Sequence, residues 1–72
     1  MATPAERWAN RVRVERQAAI SKLEAANKQL GDLLKAEKAD PGLVNDPIHL
    51  FQIREWEQVH AEAVAEMDRL GM

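Results

Sequence analysis

Apolar residues recur at alternating spacings of four and three along the first half of the chain. This spacing is typical of the packing stripe, or seam, of a helix that pairs with another helix. Thr3-Pro4-Ala5-Glu6 precedes it and is a helix-start signal, since Thr3 suits the N-cap and Glu6 the capping box. The pattern predicts a helix over about residues 3–38. Its seam is Ala5, Ala9, Val12, Arg16, Ala19, Leu23, Ala26, Leu30 and Leu33. Trp8, Ile20 and Leu34 lie beside this seam and widen the apolar stripe.

Two proline-containing signals, Asp40-Pro41-Gly42 and Asp46-Pro47, interrupt the pattern. Proline and glycine stop a helix, whereas an aspartate before a proline is typical of a helix start. We therefore expect a turn over residues 39–45, with Leu43 and Val44 folded over it. A second helix follows over about residues 47–70 and ends at Gly71. Its seam is His49, Ile53, Trp56, His60, Ala63, Met67 and Leu70.

The two predicted helices carry opposite charge. Residues 1–38 hold eight Lys and Arg against five Asp and Glu, whereas residues 39–72 hold two against seven. Attraction between them favours an antiparallel two-helix hairpin, so we expect an all-α fold with one domain over residues 1–72. Pairing Lys38 with Pro47 places Leu23 near His60, and Arg16 near Met67 or Leu70, with Glu66 and Asp68 in its reach. About 12 residues at the start of the first helix then extend beyond the second.

The composition excludes several classes of protein. With no cysteine among its 72 residues, the chain has neither a disulfide framework nor a cysteine-ligated zinc site. No run approaches the ~20 apolar residues of a membrane span, and the N-terminus lacks the pattern of a signal peptide. We therefore expect a soluble cytoplasmic protein with no membrane partner.

A core this small rarely contributes more than ~3–5 kcal/mol of net stability without a staple or a partner. Trp8 and Val12 also lie on the segment that lacks a partner in its own chain. We therefore predict that the protein forms a homodimer or higher oligomer, or docks on a larger protein assembly. The predicted interface, within the hairpin and outward from it, consists of Trp8, Val12, Arg7, Arg11, Arg16, Leu23, Leu30, Ile53, Trp56, His60 and Met67.

Catalytic chemistry has little support in the sequence. The only serine, Ser21, lies on a predicted helix, and no glycine-rich loop could hold a phosphate. We expect a non-catalytic protein without a cofactor that acts through coiled-coil-like packing. The size fits a small accessory or structural component of a bacterial or phage assembly.

One constellation has an alternative interpretation as a metal site. Glu57 and His60 are three residues apart on a helix, and Glu24 is expected on the same side of the hairpin. Glu-x-x-His pairs bind iron in carboxylate-bridged helical bundles. The arrangement resembles the encapsulated ferritin-like proteins, and this resemblance implies a di-iron site, or another divalent metal, between two hairpins. The favoured interpretation is that His60 is a polar seam residue that sets register.

The arginines of the first helix suggest a second alternative, a nucleic-acid-binding bundle. Arg7, Arg11, Arg13 and Arg16 could contact phosphates, and a dimer of short hairpins resembles the plasmid-copy-control RNA-binding bundle. Acidic residues are interspersed among them, however, and the aromatic interleaving of single-strand binders is missing. Nucleic acid is therefore the less favoured partner.

Overall fold

The computed structural model describes residues 3–72, in which two long helices are joined by a short turn. Helix α1 spans Pro4–Ala39, a 3₁₀ turn spans Pro41–Asn45, and helix α2 spans Pro47–Arg69. Residues 3–72 contain no strand. The predicted all-α hairpin is confirmed, with helix boundaries within about one residue of the expected ones.

Side chains and backbone groups close the helix ends as the sequence predicts. The Thr3 hydroxyl accepts a hydrogen bond from the Glu6 amide at 3.2 Å, and the Glu6 carboxylate accepts one from the Thr3 amide at 3.3 Å. The Asp46 carboxylate accepts from the amides of Ile48 and His49 at 2.9 and 3.2 Å. These bonds satisfy amides that the helices themselves leave unpaired.

The C-terminal end of α2 is a Schellman motif. Gly71 has a φ of 75°, the left-handed conformation that glycine adopts without a steric penalty. The Met72 amide donates to the Met67 carbonyl at 2.9 Å, and the Gly71 amide donates to the Asp68 carbonyl at 3.1 Å. This pair of bonds defines the motif and ends α2 sharply.

Three sets of contacts between side chains of α1 and groups on α2 define the register. Glu37 meets His49 near the turn, Lys22 meets Glu62 and Glu66 farther along, and Arg16 reaches the Leu70 carbonyl at the open end. Residue numbers in α1 fall as those in α2 rise, as the predicted antiparallel pairing requires. At the turn, Leu43 is half-buried but Val44 is 49% exposed. The prediction that both fold over the closed end is therefore wrong for Val44.

The centre of the hairpin is built from small residues. Ala19, Ala26 and Ala63 are fully buried, whereas no large side chain in the described part of the chain reaches full burial. Leu23, Leu30 and the other large apolar seam residues are half-buried. Alanine lets the two backbones approach closely, but each helix has only one neighbour, so large side chains remain open to solvent on their outer sides.

The hairpin is consequently a thin rod of 58 × 17 × 16 Å. Its radius of gyration is 17.0 Å, whereas a compact domain of this length has a value of about 11 Å. Its accessible surface is 5610 Å², and a compact protein of this mass exposes about 4,500 Å². A single chain therefore leaves on the order of 1,000 Å² more surface in solvent than a compact fold would.

Candidate interaction surface

The two helices differ in length, and the difference produces a step at the open end of the hairpin. Helix α1 has 36 residues and α2 has 23. Because α2 ends beside Arg16, no helix among residues 3–72 lies next to the segment of α1 that precedes Arg16. We call residues 4–15 the overhang. Its presence confirms the unequal pairing that the sequence predicts.

A groove lies where the overhang meets the end of α2. Its volume is about 420 Å³, and its lining combines apolar side chains with two cationic ones. Trp8 is 67% exposed, while Val12 is half-buried. The residues lining the groove are Trp8, Ala9, Val12, Arg13, Arg16, Gln17, Ile20 and Met72.

Arg16 joins the overhang to the end of α2. Its guanidinium Nη2 donates a hydrogen bond to the backbone carbonyl of Leu70 at 3.2 Å. The last carbonyls of a helix lack partners within the helix and carry the negative end of its dipole, so a cation is favourable there. The expectation that Arg16 would meet Glu66 or Asp68 is wrong, since Glu66 pairs with Lys22.

The predicted interface residues fall into two groups in the structure. Arg7, Arg11 and Trp8 are exposed on the overhang, together with the half-buried Val12. Of the overhang arginines, Arg13 lines the groove. Arg16 is likewise exposed, where the overhang meets the end of α2. The remaining predicted residues lie half-buried on the seam between the helices: Leu23, Leu30, Ile53, Trp56, His60 and Met67.

The residues of the alternative metal interpretation lie on both helices. Glu24 and Glu57 are exposed, and His60 is half-buried. Within residues 3–72 of one chain, no group of three or more His, Cys, Asp or Glu side chains is placed to hold a metal ion. A site shared between two hairpins stays a prediction, as does nucleic-acid binding by the arginines.

The structure adds a buried polar contact that sequence reasoning missed. His49 is 6% exposed, and its Nε2 lies 3.0 Å from a carboxylate oxygen of Glu37. An ionised carboxylate only accepts hydrogen bonds, so Nε2 carries the proton in this contact. The seam pattern places His49 correctly between the helices. The register that pairs Lys38 with Pro47 would have identified Glu37 as its neighbour.

Lys22 is the centre of a charge cluster on one side of the hairpin. Its Nζ lies 3.2 Å from Glu62 and 3.4 Å from Glu66. The hydrogen bond to Glu62, partly opposed by burial and reinforced by Glu66, raises the pKa of Lys22 above the usual value for lysine. Through this cluster, the positively charged first segment makes ion pairs with the negatively charged second segment.

Further apolar side chains are exposed along the rod. Ile48 and Phe51 are 72% and 62% exposed near the start of α2, and Val14 is 68% exposed on the overhang. A shallower groove of about 320 Å³ lies among Pro47, Leu50, Phe51 and Arg54. The hairpin thus carries exposed apolar surface at both ends, but the open end also has a tryptophan beside a groove.

Comparisons with known proteins add no relationship to this picture. No protein-family model, curated protein or solved structure matches the chain. No helix within residues 3–72 has the length and apolar character needed to cross a membrane.

Proposed function

We propose that the protein is a non-catalytic helical interaction module, a small accessory component that works by packing its exposed apolar surface against another protein molecule. The observation that carries this proposal is Trp8, which is 67% exposed beside a groove of about 420 Å³. Tryptophan and arginine are enriched among residues that dominate binding energies at protein interfaces. Trp8, Arg13 and Arg16 lie together at the groove.

The size of the exposed surface supports the same proposal. The rod exposes on the order of 1,000 Å² more than a compact protein of its mass, and a standard interface buries about 800 Å² on each partner. Since tryptophan buries roughly 200 Å², covering the exposed two-thirds of Trp8 at ~25 cal/mol/Å² would contribute about 3 kcal/mol. Assembly would therefore remove from solvent the apolar surface of each helix that the other helix of the same hairpin leaves uncovered.

Replacing Trp8 with alanine tests the proposal. We expect Trp8→Ala to weaken assembly, measured as average mass by light scattering over a range of concentrations, while helicity by circular dichroism stays nearly unchanged. Phe51→Ala is the matched control, because Phe51 is also an exposed aromatic residue (62%) but lies near the turn. Unfolding of Trp8→Ala would mean that Trp8 belongs to the core. A wild-type chain that is a stably folded monomer at every concentration, including the high micromolar range, would contradict the proposal.

A metal site between two hairpins is the second candidate. Glu24 and Glu57 are exposed and hence accessible to another molecule, and His60 follows Glu57 by one helical turn. Metal analysis of the purified protein tests it. Iron or zinc that binds the wild type and is lost in His60→Ala would favour this candidate, whereas a metal-free assembled protein would exclude it.

A further inference from the structure

The overhang continues the seam after α2 has ended. Ala5, Ala9 and Val12 precede Arg16 at the same spacings that place Ala19 and Ala26 between the helices. At ~1.5 Å per residue, the 12 residues of the overhang are about 18 Å long. Within the described residues, the open end of the hairpin therefore has one helix of a two-helix pair, and no second helix occupies the place beside it past the end of α2 at Arg69.

We propose that a second copy of this chain fills that place, so that the overhangs of two hairpins pair antiparallel about a two-fold axis near Ala9. This inference rests on the proposed function and names its partner. The lengths of the two overhangs fit this pairing. The overhang of the second copy begins beside the end of α2 of the first copy, and the overhang of the first copy likewise begins beside the end of α2 of the second. Each protomer fills the groove of the other with the same segment, as an isologous dimer requires.

The residues along the overhang favour close contact between two copies. Ala5 and Ala9 are small, like Ala19, Ala26 and Ala63, which are fully buried where α1 and α2 meet. The same close spacing can therefore continue into the dimer. Trp8 adjoins the axis in this arrangement, so each copy covers the other's exposed indole. Residues near the centre of an interface are those that contribute most when solvent is excluded.

Charge on the overhang is complementary to itself in this orientation. Glu6 and Arg13 are seven residues apart, two helical turns, and hence lie on one flank of α1. Antiparallel pairing centred near Ala9 brings Glu6 of one copy level with Arg13 of the second copy, and symmetry repeats the pair. In a parallel pair the same flanks of the two copies lie on opposite sides of the interface, so Glu6 and Arg13 would not meet. The opposite signs therefore favour the antiparallel dimer.

The helix dipoles also favour this arrangement. In the dimer, α1 of the second copy begins where α2 of the first ends, and the two helices run in the same direction. The positive N-terminal end of one then faces the negative C-terminal end of the other. Other proteins could supply an apolar helix, but a second copy supplies the length, the charge order and the dipole direction together.

Two valines on opposite faces of the overhang provide the test. Val12 lies on the seam and is half-buried in the groove, whereas Val14 is 68% exposed and lies about 200° farther round the helix. We expect Val12→Glu to raise the dimer dissociation constant by more than about tenfold, because a carboxylate would be buried without a partner. Val14→Glu should leave it within about threefold, because that position faces solvent.

Sedimentation equilibrium of both variants and of the wild type measures the dissociation constant, and circular dichroism confirms that each variant remains helical. Loss of the dimer in Val12→Glu alone supports the proposal. A wild-type dimer that both variants weaken equally, or that neither weakens, overturns the overhang pairing but leaves the proposed function intact. A stable wild-type monomer overturns both.

Cross-linking gives a second readout that does not depend on affinity. The chain has no cysteine, so single-cysteine variants report one position each. Under mild oxidation, Ala9→Cys should form a disulfide-linked dimer faster than Val14→Cys, because only position 9 meets its copy at the axis, and a disulfide needs Cα atoms within ~7 Å. Equal rates for the two variants would overturn the proposed axis.

Discussion

The contact between His49 and Glu37 offers a sharp test of how the closed end of the hairpin is held. His49 is 6% exposed, and its Nε2 lies 3.0 Å from the Glu37 carboxylate. Glu37→Ala would leave the imidazole N–H buried without an acceptor. An unsatisfied buried donor costs about 1–3 kcal/mol. At the midpoint of that range, the melting temperature of a domain this small should fall by roughly 8–16 °C.

Urea unfolding monitored by circular dichroism, at one fixed protein concentration, measures the loss of stability. Glu37→Gln should recover much of it, because the amide oxygen can still accept the hydrogen bond. Glu57→Ala is the matched control, since Glu57 is exposed on a helix, and surface substitutions of this kind change stability by less than about 0.5 kcal/mol. A Glu37→Ala variant as stable as Glu57→Ala would refute the reasoning, as would an equal loss when His49 is first replaced with leucine.

Two further predictions concern the glycines and Lys22. Gly31→Ala should stabilise the protein by about 1 kcal/mol, because alanine is the better helix former and nothing lies within 4 Å of the added Cβ. Gly71→Ala should destabilise it by about 1 kcal/mol, because a φ of 75° is unfavourable for alanine; the same sign for both in thermal unfolding would contradict this account. Because the pKa of Lys22 is raised in the folded chain, its stabilising contribution is complete below the unfolded pKa and is lost as pH rises through the folded value. Urea midpoints should therefore fall above about pH 10 in the wild type and less in Lys22→Met, and identical profiles would exclude the effect.

The helices and their ends could be read from the sequence because their causes are local. Capping by Thr3 and Asp46, termination at Gly71 and the spacing of apolar residues each depend on a few neighbouring positions. The unequal lengths of the helices follow from those ends. The exposed position of Trp8 follows in turn, so the main feature of the candidate surface was predictable.

Contacts that depend on side-chain reach and on backbone carbonyls were not predictable in the same way. Pairing of charges along the sequence suggests an acidic side chain as the partner of Arg16, but the structure shows the carbonyl of Leu70. Every residue has a carbonyl, and only the position of a helix end in space makes one available. The exposure of Val44 likewise depends on how the 3₁₀ turn directs each side chain.

The amino-acid sequence by itself determined that this chain forms two helices of unequal length and opposite charge that fold against each other. Only the tertiary structure decided how little that fold buries. Full burial is confined to Ala19, Ala26 and Ala63 among the apolar residues described, because two helices meet along a single line and only small side chains fit entirely within it. The larger apolar groups stay partly in solvent, since covering them requires a surface that one hairpin does not have.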